Sequence, residues 1–297
     1  MNTVFEEMMV EKVMERVGGG CEIRIRKIGK NNGVSKTAIE SVKDGDNVGT
    51  LVYLDDLFRE GLSEKEVDMM ADEIAATCRN ERPVEPASVV RNIMNWEYAK
   101  NHLVMRIVNA EWNAENLQGI PHRNYLDLAI VYHIMLSDFD SPGSMTSLVT
   151  GNMFFEWGIP EDQLYEAAME NMKKNLPETF QSMASILGIK EDADMDSPLY
   201  VLSNSGGAYG AAALLYGEAL NQMAERTGSD IYILPSSIHE VLLLPANQAA
   251  VCEKDMLDMV RTINRTQVER QDWLSDNIYL FHRKTGSISV ISQAAAA

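Results

Sequence analysis

YVLSNSGGAYGAAALLYGEALNQMAERTGSDIYILPSSIHEVLLLP, from Tyr200 to Pro245, reads as short apolar strand pairs on either side of one amphipathic helix. Leu199 to Ser203 and Ala208 to Tyr216 are rich in strand formers and flank a turn at Asn204 to Gly207. Gly217 to Thr227 has helical spacing and stops at Gly228, a residue suited to the left-handed position that closes a helix. Asp230 to Leu234 and Ile238 to Leu244 then pair most simply as a hairpin. Adjacent hairpins interrupted by helices, without strict strand-helix-strand alternation, predict an α+β fold with mainly antiparallel sheets.

The same pattern extends outward. Phe5, Met8, Met9, Val13 and Val17 mark an opening helix that Gly18-Gly19-Gly20 ends. Strands over Cys21 to Ile28, Thr37 to Val42 and Gly49 to Leu54 follow, with Asn31-Asn32-Gly33 as a turn. Ser63-Glu64-Lys65-Glu66 is a capping box that opens a helix with Val67, Met70, Ala71, Ile74 and Cys78 on one face. Ala87 to Lys100 is predicted helical and His102 to Ala110 a strand. Tyr125 to Leu136 is predicted as one long strand, paired through a turn near Asp138 to Gly143 with Ser144 to Thr150. Pro160 sits where a first helical turn tolerates a missing amide, ahead of Leu164, Ala168, Met169 and Met172. A helix over Lys254 to Gln267 and a hairpin of Asn277 to His282 with Ser287 to Ile291 complete the pattern. Pro121 marks the expected seam between two closely joined halves, 1–118 and 119–293, with 294–297 as a tail.

Charge narrows the function classes. The chain holds 26 basic and 44 acidic residues among 297, a net charge of −18, which repels nucleic acid and anionic lipid. A basic run, Arg24, Arg26, Lys27, Lys30 and Lys36, carries no interleaved aromatic residue and reads as the solvated face of a strand. No stretch approaches the length of a membrane span and the acidic start lacks a secretory pattern, so the expected address is the cytoplasm. Cys21, Cys78 and Cys252 are widely spaced and read as reduced thiols. The 18 methionines fall largely at helical spacings and read as core filling.

Complete catalytic or cofactor motifs are missing from the sequence. Asp192-Ala-Asp194-Met-Asp196 opens like a calcium loop, but Ser197 stands where glycine is needed and Ser203 where a bidentate glutamate is needed. Ser205 to Gly210 lacks the Lys-Ser/Thr ending of a phosphate loop and reads as a glycine-rich turn. His239-Glu240 does not extend to H-E-x-x-H, because position 243 is leucine. In a strand, Ser237 and His239 would share one face and Glu240 the other, which separates the members of an apparent triad. No metal and no cofactor is therefore expected. The candidate residues are Ser237 and His239 for catalysis, and His122, Arg123 and Ser236 for ligand contact.

Three blocks carry a family resemblance: Pro121-His122-Arg123-Asn124-Tyr125-Leu126-Asp127-Leu128, Trp157-Gly158-Ile159 with Leu164 to Asn171, and Leu234-Pro235-Ser236-Ser237-Ile238-His239-Glu240-Val241. In their order the chain resembles an uncharacterised family of bacterial and mobile-element proteins, a domain of unknown function, over nearly its whole length. The resemblance implies no activity, cofactor or catalytic residue. The expectation is a soluble binding or regulatory module that meets a small ligand or a protein partner. The alternative is a hydrolase or transferase with a site assembled from Ser237 and His239 with His122 and Arg123.

Overall fold

The computed structural model describes residues 3–45, 49–79, 86–137, 139, 145–188 and 199–292. The chain divides into two compact units, Met1–Asn92 and Ile93–Ala297.

In the first unit, α1 (Thr3–Val17) precedes β1 (Cys21–Gly29), β2 (Ser35–Lys43), β3 (Gly49–Tyr53) and α2 (Glu64–Arg79). The strands form an antiparallel sheet in the order β1-β2-β3. Phe5, Met9 and Val13 of α1 and Val67, Ala71 and Ile74 of α2 bury their apolar faces with Ile39 and Leu54. Asn32 holds the left-handed conformation at the β1–β2 turn, with φ of 59°, a position that asparagine tolerates. Along β1 the side chains alternate, so Arg24 and Arg26 are exposed and meet Glu40 on the neighbouring strand. This basic run is thus a solvated, ion-paired strand face.

The capping box at α2 is formed. The Ser63 amide donates to Glu66 Oε2 at 2.9 Å, and the Glu66 amide donates back to Ser63 Oγ at 3.4 Å. Those Ser63 bonds, with Arg59 beside them, hold the Glu66 carboxyl down at about 2. Because this value lies below the unfolded one, the contribution to stability is complete above about pH 4.5 and is lost as the pH falls towards 2. In denaturation curves recorded between pH 2 and 6, Glu66→Gln is therefore expected to be less stable than the parent at pH 6 and to converge with it at pH 2.

Next come α3 (Pro86–Met94) and α4 (Trp96–Ala99). They replace the single helix expected over 87–100, because Asn95 turns extended and its side chain caps α4, accepting from the Glu97 amide at 2.9 Å. The second unit continues with β4 (Leu103–Asn109), α5 (Ala114–Leu117), β5 (His122–Tyr125), β6 (Leu128–Met135), β7 (Thr146–Leu148), α6 (Gly151–Trp157), α7 (Glu161–Asn175), β8 (Glu178–Ser182) and α8 (Met183–Ile186). After these come β9 (Tyr200–Asn204), α9 (Glu218–Thr227), β10 (Ile231–Pro235), β11 (Val241–Pro245), α10 (Glu253–Gln267), β12 (Ile278–His282) and β13 (Ser287–Ile291). A small sheet runs β4-β6-β5 with β7 also on β6, and a large sheet runs β13-β12-β10-β11-β9-β8. Every pairing is antiparallel, so the α+β class read from the hairpins is the observed one. The seam expected at 118/119 falls inside the small sheet, between β4 and its partner β6. Among the described residues no helix is long and apolar enough to cross a membrane.

Local pattern and tertiary structure part at further places. The long strand expected from Tyr125 begins only at Leu128, as β6, because a turn at Leu126-Asp127, with Leu126 at φ of 59°, leaves Tyr125 at the end of β5. The turn carries Asp127 to Ser275, Asn277 and Tyr279, which donate to its carboxylate at 2.7, 2.9 and 2.8 Å. The strand expected over 208–216 is a 3-10 turn, Gly210–Leu215, in which Ala211, Ala212, Ala213 and Leu214 are all buried and nothing alternates. Gly210 lies so close to its neighbours that a Cβ would fall 2.0 Å from Ser203 Oγ and 2.6 Å from the His239 carbonyl oxygen. Helix α6 and strand β8 have no counterpart in the reading of the sequence. The acidic run Asp192 to Asp196 lies outside the described residues.

Asp127 accepts three hydrogen bonds from side chains, and two of the donors, Ser275 and Tyr279, have no exposed surface. Asp127→Ala strands those donors and is expected to cost at least about 3 kcal/mol, since each buried donor left unsatisfied costs roughly 1–3 kcal/mol. Urea unfolding measures it as a lower midpoint at unchanged slope.

Candidate functional site

Pro235 ends β10 and Val241 begins β11, so Ser236 to Glu240 form the loop of the hairpin and not a continuation of its strand. The face-sharing expected of Ser237 and His239 in a strand therefore does not apply. The loop is pinned at its centre by Ile238, which is buried, donates its amide to the Asp272 carbonyl at 2.8 Å and accepts from the Ala211 amide at 3.3 Å. Ser237 Oγ accepts from the His239 amide at 3.0 Å, and the Ser237 amide donates to the Glu240 carbonyl at 3.2 Å. Ser237 is thus a turn-forming serine, with its oxygen on the backbone of His239 rather than on its ring.

The His239 ring takes part in a separate polar cluster. Its Nδ1 accepts from the Tyr209 amide at 3.1 Å, which places the proton of the neutral ring on Nε2, 3.7 Å from Asp272 Oδ1. Tyr209 is in the left-handed region at φ of 53°, a costly conformation for a bulky side chain that its neighbours must impose. Its ring lies 5.4 Å from that of His239 and carries the Arg106 guanidinium at 3.4 Å from its centre. Arg106 projects from β4 and donates from Nη2 to Thr146 Oγ1 at 2.6 Å, and Thr146 in turn lies 3.5 Å from His133 Nδ1. Burial lowers the Arg106 guanidinium to about 10. Burial, then the Arg106 charge, pushes the His133 imidazole well below its ordinary value, so that ring is neutral at pH 7. A single arginine inside the apolar run Leu-Val-Met-Arg-Ile-Val, Leu103 to Val108, is the signal in the sequence that marks this cluster.

At its other end the loop borders an apolar cavity of about 350 Å³ between α10 and the outer face of the large sheet. Leu234, Leu242 and Leu244 supply the floor, alternate positions of β10 and β11 whose side chains share a face, and Met256, Met259 and Val260 of α10 supply the roof. Ser236 lines the cavity and contributes the hydroxyl in a wall made otherwise of apolar side chains. Met259 and Val251 are 49% and 40% exposed and stand where the cavity meets solvent.

His122 and Arg123 are adjacent in β5 and so project from opposite faces. His122 is exposed, with Nδ1 on the Ile120 carbonyl at 3.0 Å. Arg123 donates from Nε to Glu161 Oε2 at 3.0 Å, pairs also with Asp162, and lies over the Tyr165 ring. Glu161 also accepts from Tyr132. Arg123 is thereby neutralised by α7, and the Glu161 hydrogen bond raises its pKa against the lowering effect of burial. No hydrogen bond or ion pair among the described residues joins His122 or Arg123 to Ser237 or His239. Among the described residues there is also no cluster of three His, Cys, Asp or Glu able to hold a metal ion.

Fold and site together define an α+β protein whose main hairpin loop lies between an apolar cavity and a polar cluster. The chain belongs to the family of unknown function DUF5688, whose model matches residues 2–283 and so nearly the whole chain. No curated protein and no solved structure matches it.

Since Ser237 caps the loop through one neutral hydrogen bond, Ser237→Ala is expected to lower stability by about 1 kcal/mol. Denaturant midpoints report that loss, and the His239 ring resonances should stay in place because Tyr209 and Asp272 hold the ring.

Proposed function

We propose that the protein is a non-enzymatic binding module whose ligand is a compact apolar molecule held between α10 and the large sheet. One observation carries this reading, the cavity of about 350 Å³. It stands at the lower end of the roughly 300–1,000 Å³ of small-molecule sites and is more than twice the roughly 150 Å³ that holds a benzene ring. A ligand larger than one aromatic ring is the fitting size. An apolar lining with one hydroxyl, that of Ser236, suits a molecule that is mostly hydrocarbon with a single polar end. Met256 and Met259 add side chains that repack around different shapes. The net charge of −18 and the spacing of apolar residues support a soluble protein of the cytoplasm without a nucleic-acid partner. The bacterial and mobile-element setting rests on the sequence blocks alone.

Calorimetric titration of the full chain with n-alkanols from hexanol to decanol tests the reading. Saturable binding is expected, tightening about fourfold per methylene as each adds roughly 0.8 kcal/mol of burial, until the cavity is full. Met259→Trp, placed at the half-exposed mouth where the fold tolerates it, is expected to abolish binding. Absence of saturable binding across the series, or equal affinity in Met259→Trp, overturns the proposal.

A further inference from the structure

The polar cluster beside Tyr209 holds one guanidinium, that of Arg106, that no ion pair among the described residues engages. Arg106 is largely withdrawn from water on β4, yet its one hydrogen-bond partner among the described residues is the Thr146 hydroxyl, and its nearest stacking partner is an uncharged ring. No carboxylate among the described residues pairs with it, whereas Arg123 on β5 of the same sheet has both Glu161 and Asp162. The donors left over, Nε and Nη1, are not sealed, since neither is among the enclosed atoms that lack a partner. A guanidinium stacked on an aromatic ring, fixed by a hydroxyl at one corner and open along its remaining edge, is arranged for an anion from outside the chain.

We infer that Arg106 is the base of an anion site that takes a small monocarboxylate, held by the open edge of the guanidinium over Tyr209 and beside Thr146. The charge of the ligand follows from the residues. Arg106 brings one positive charge, and His133 beside Thr146 is neutral and brings none. Asp272, behind His239, is an acid that opposes further negative charge. One carboxylate balances one guanidinium and matches its planar fork, whereas a phosphate dianion leaves an uncompensated charge in a partly desolvated place. The strained backbone of Tyr209 fits the same reading, because the left-handed turn carries both the ring beneath Arg106 and the amide that orients His239. The site does not depend on the apolar cavity.

The test is a titration of the full chain with acetate and with benzoate, followed by the arginine Nε–H resonances in proton–nitrogen correlation spectra at constant ionic strength. Chloride and inorganic phosphate serve as comparators. One resonance, identified by its loss in Arg106→Lys, is expected to move saturably with either carboxylate. Arg106→Lys keeps the charge without the fork and is expected to weaken carboxylate binding at least tenfold, read from the thermal shift. Thr146→Val leaves the fork but loosens its aim, and about threefold weaker binding is expected. An Arg106 resonance that does not move, tighter binding of phosphate than of carboxylate, or an unchanged affinity in Thr146→Val overturns the inference. The last of these applies even if Arg106→Lys does not fold.

Discussion

The Asp127 carboxylate accepts from Ser275, Asn277 and Tyr279 and so ties the tip of the β5–β6 hairpin to the segment that enters β12. Through it the small sheet is fastened to the large sheet of the second unit. Neighbouring contacts accompany that docking: Asn109 Nδ2 reaches the Leu274 carbonyl at 3.3 Å, and Trp112 and Trp273, in edge contact at 6.0 Å, each lie 4.3 Å from the Arg270 guanidinium. Once these are set, β4 and the 3-10 turn at Gly210 lie against each other and Arg106 meets Tyr209. A charged acceptor surrounded by three neutral donors is well suited to this work, since each bond is charge-assisted. The Tyr279 hydroxyl is correspondingly held in its protonated form, its pKa raised far above the ordinary value mainly by burial.

The loop from Ser236 to Glu240 divides labour residue by residue. Ser236 turns to the apolar cavity, Ser237 closes the turn, Ile238 anchors it in the core, and His239 enters the polar cluster. Gly210 permits this, because the His239 carbonyl and Ser203 hydroxyl occupy the space that any side chain there would need. Ser203 Oγ donates to that carbonyl at 2.8 Å, so the loop is fastened to β9 from the same side. Three donor bonds to one short loop explain why a hairpin connection without regular structure is well placed for recognition.

Where a pattern was local, it was legible. Phe5, Met9 and Val13 announce α1, Ser63 and Glu66 announce α2, and the alternation around Arg24 and Arg26 announces β1. Misreading began where a buried element has no polar side to reveal its period. Ala211 to Leu214 are buried all round, so an apolar run that suits a strand is in fact a 3-10 turn. The break at Leu126-Asp127 was hidden for a different reason, since the partners that justify it lie about 150 residues further along the chain. Of the candidate residues, Ser236 lines the cavity, His239 enters the cluster, and Arg123 is committed to α7. A lone arginine in an apolar strand, such as Arg106, looks the same in sequence whether or not an acid stands beside it.

By itself the sequence determined the antiparallel α+β class, the extents of α1, α2, α9 and α10 and the acidic character of the chain, all of which depend on neighbours a few residues apart or on sums over composition. Only the tertiary structure decided that Ser237 serves the backbone while His239 joins Tyr209 and Arg106, and that Leu234, Leu242 and Val260 enclose a cavity. The physical reason is that hydrogen bonds and excluded volume act at a few ångströms in space, and residues from β4, β7, the Gly210 turn and the β10–β11 loop come within that range only when the sheets have docked.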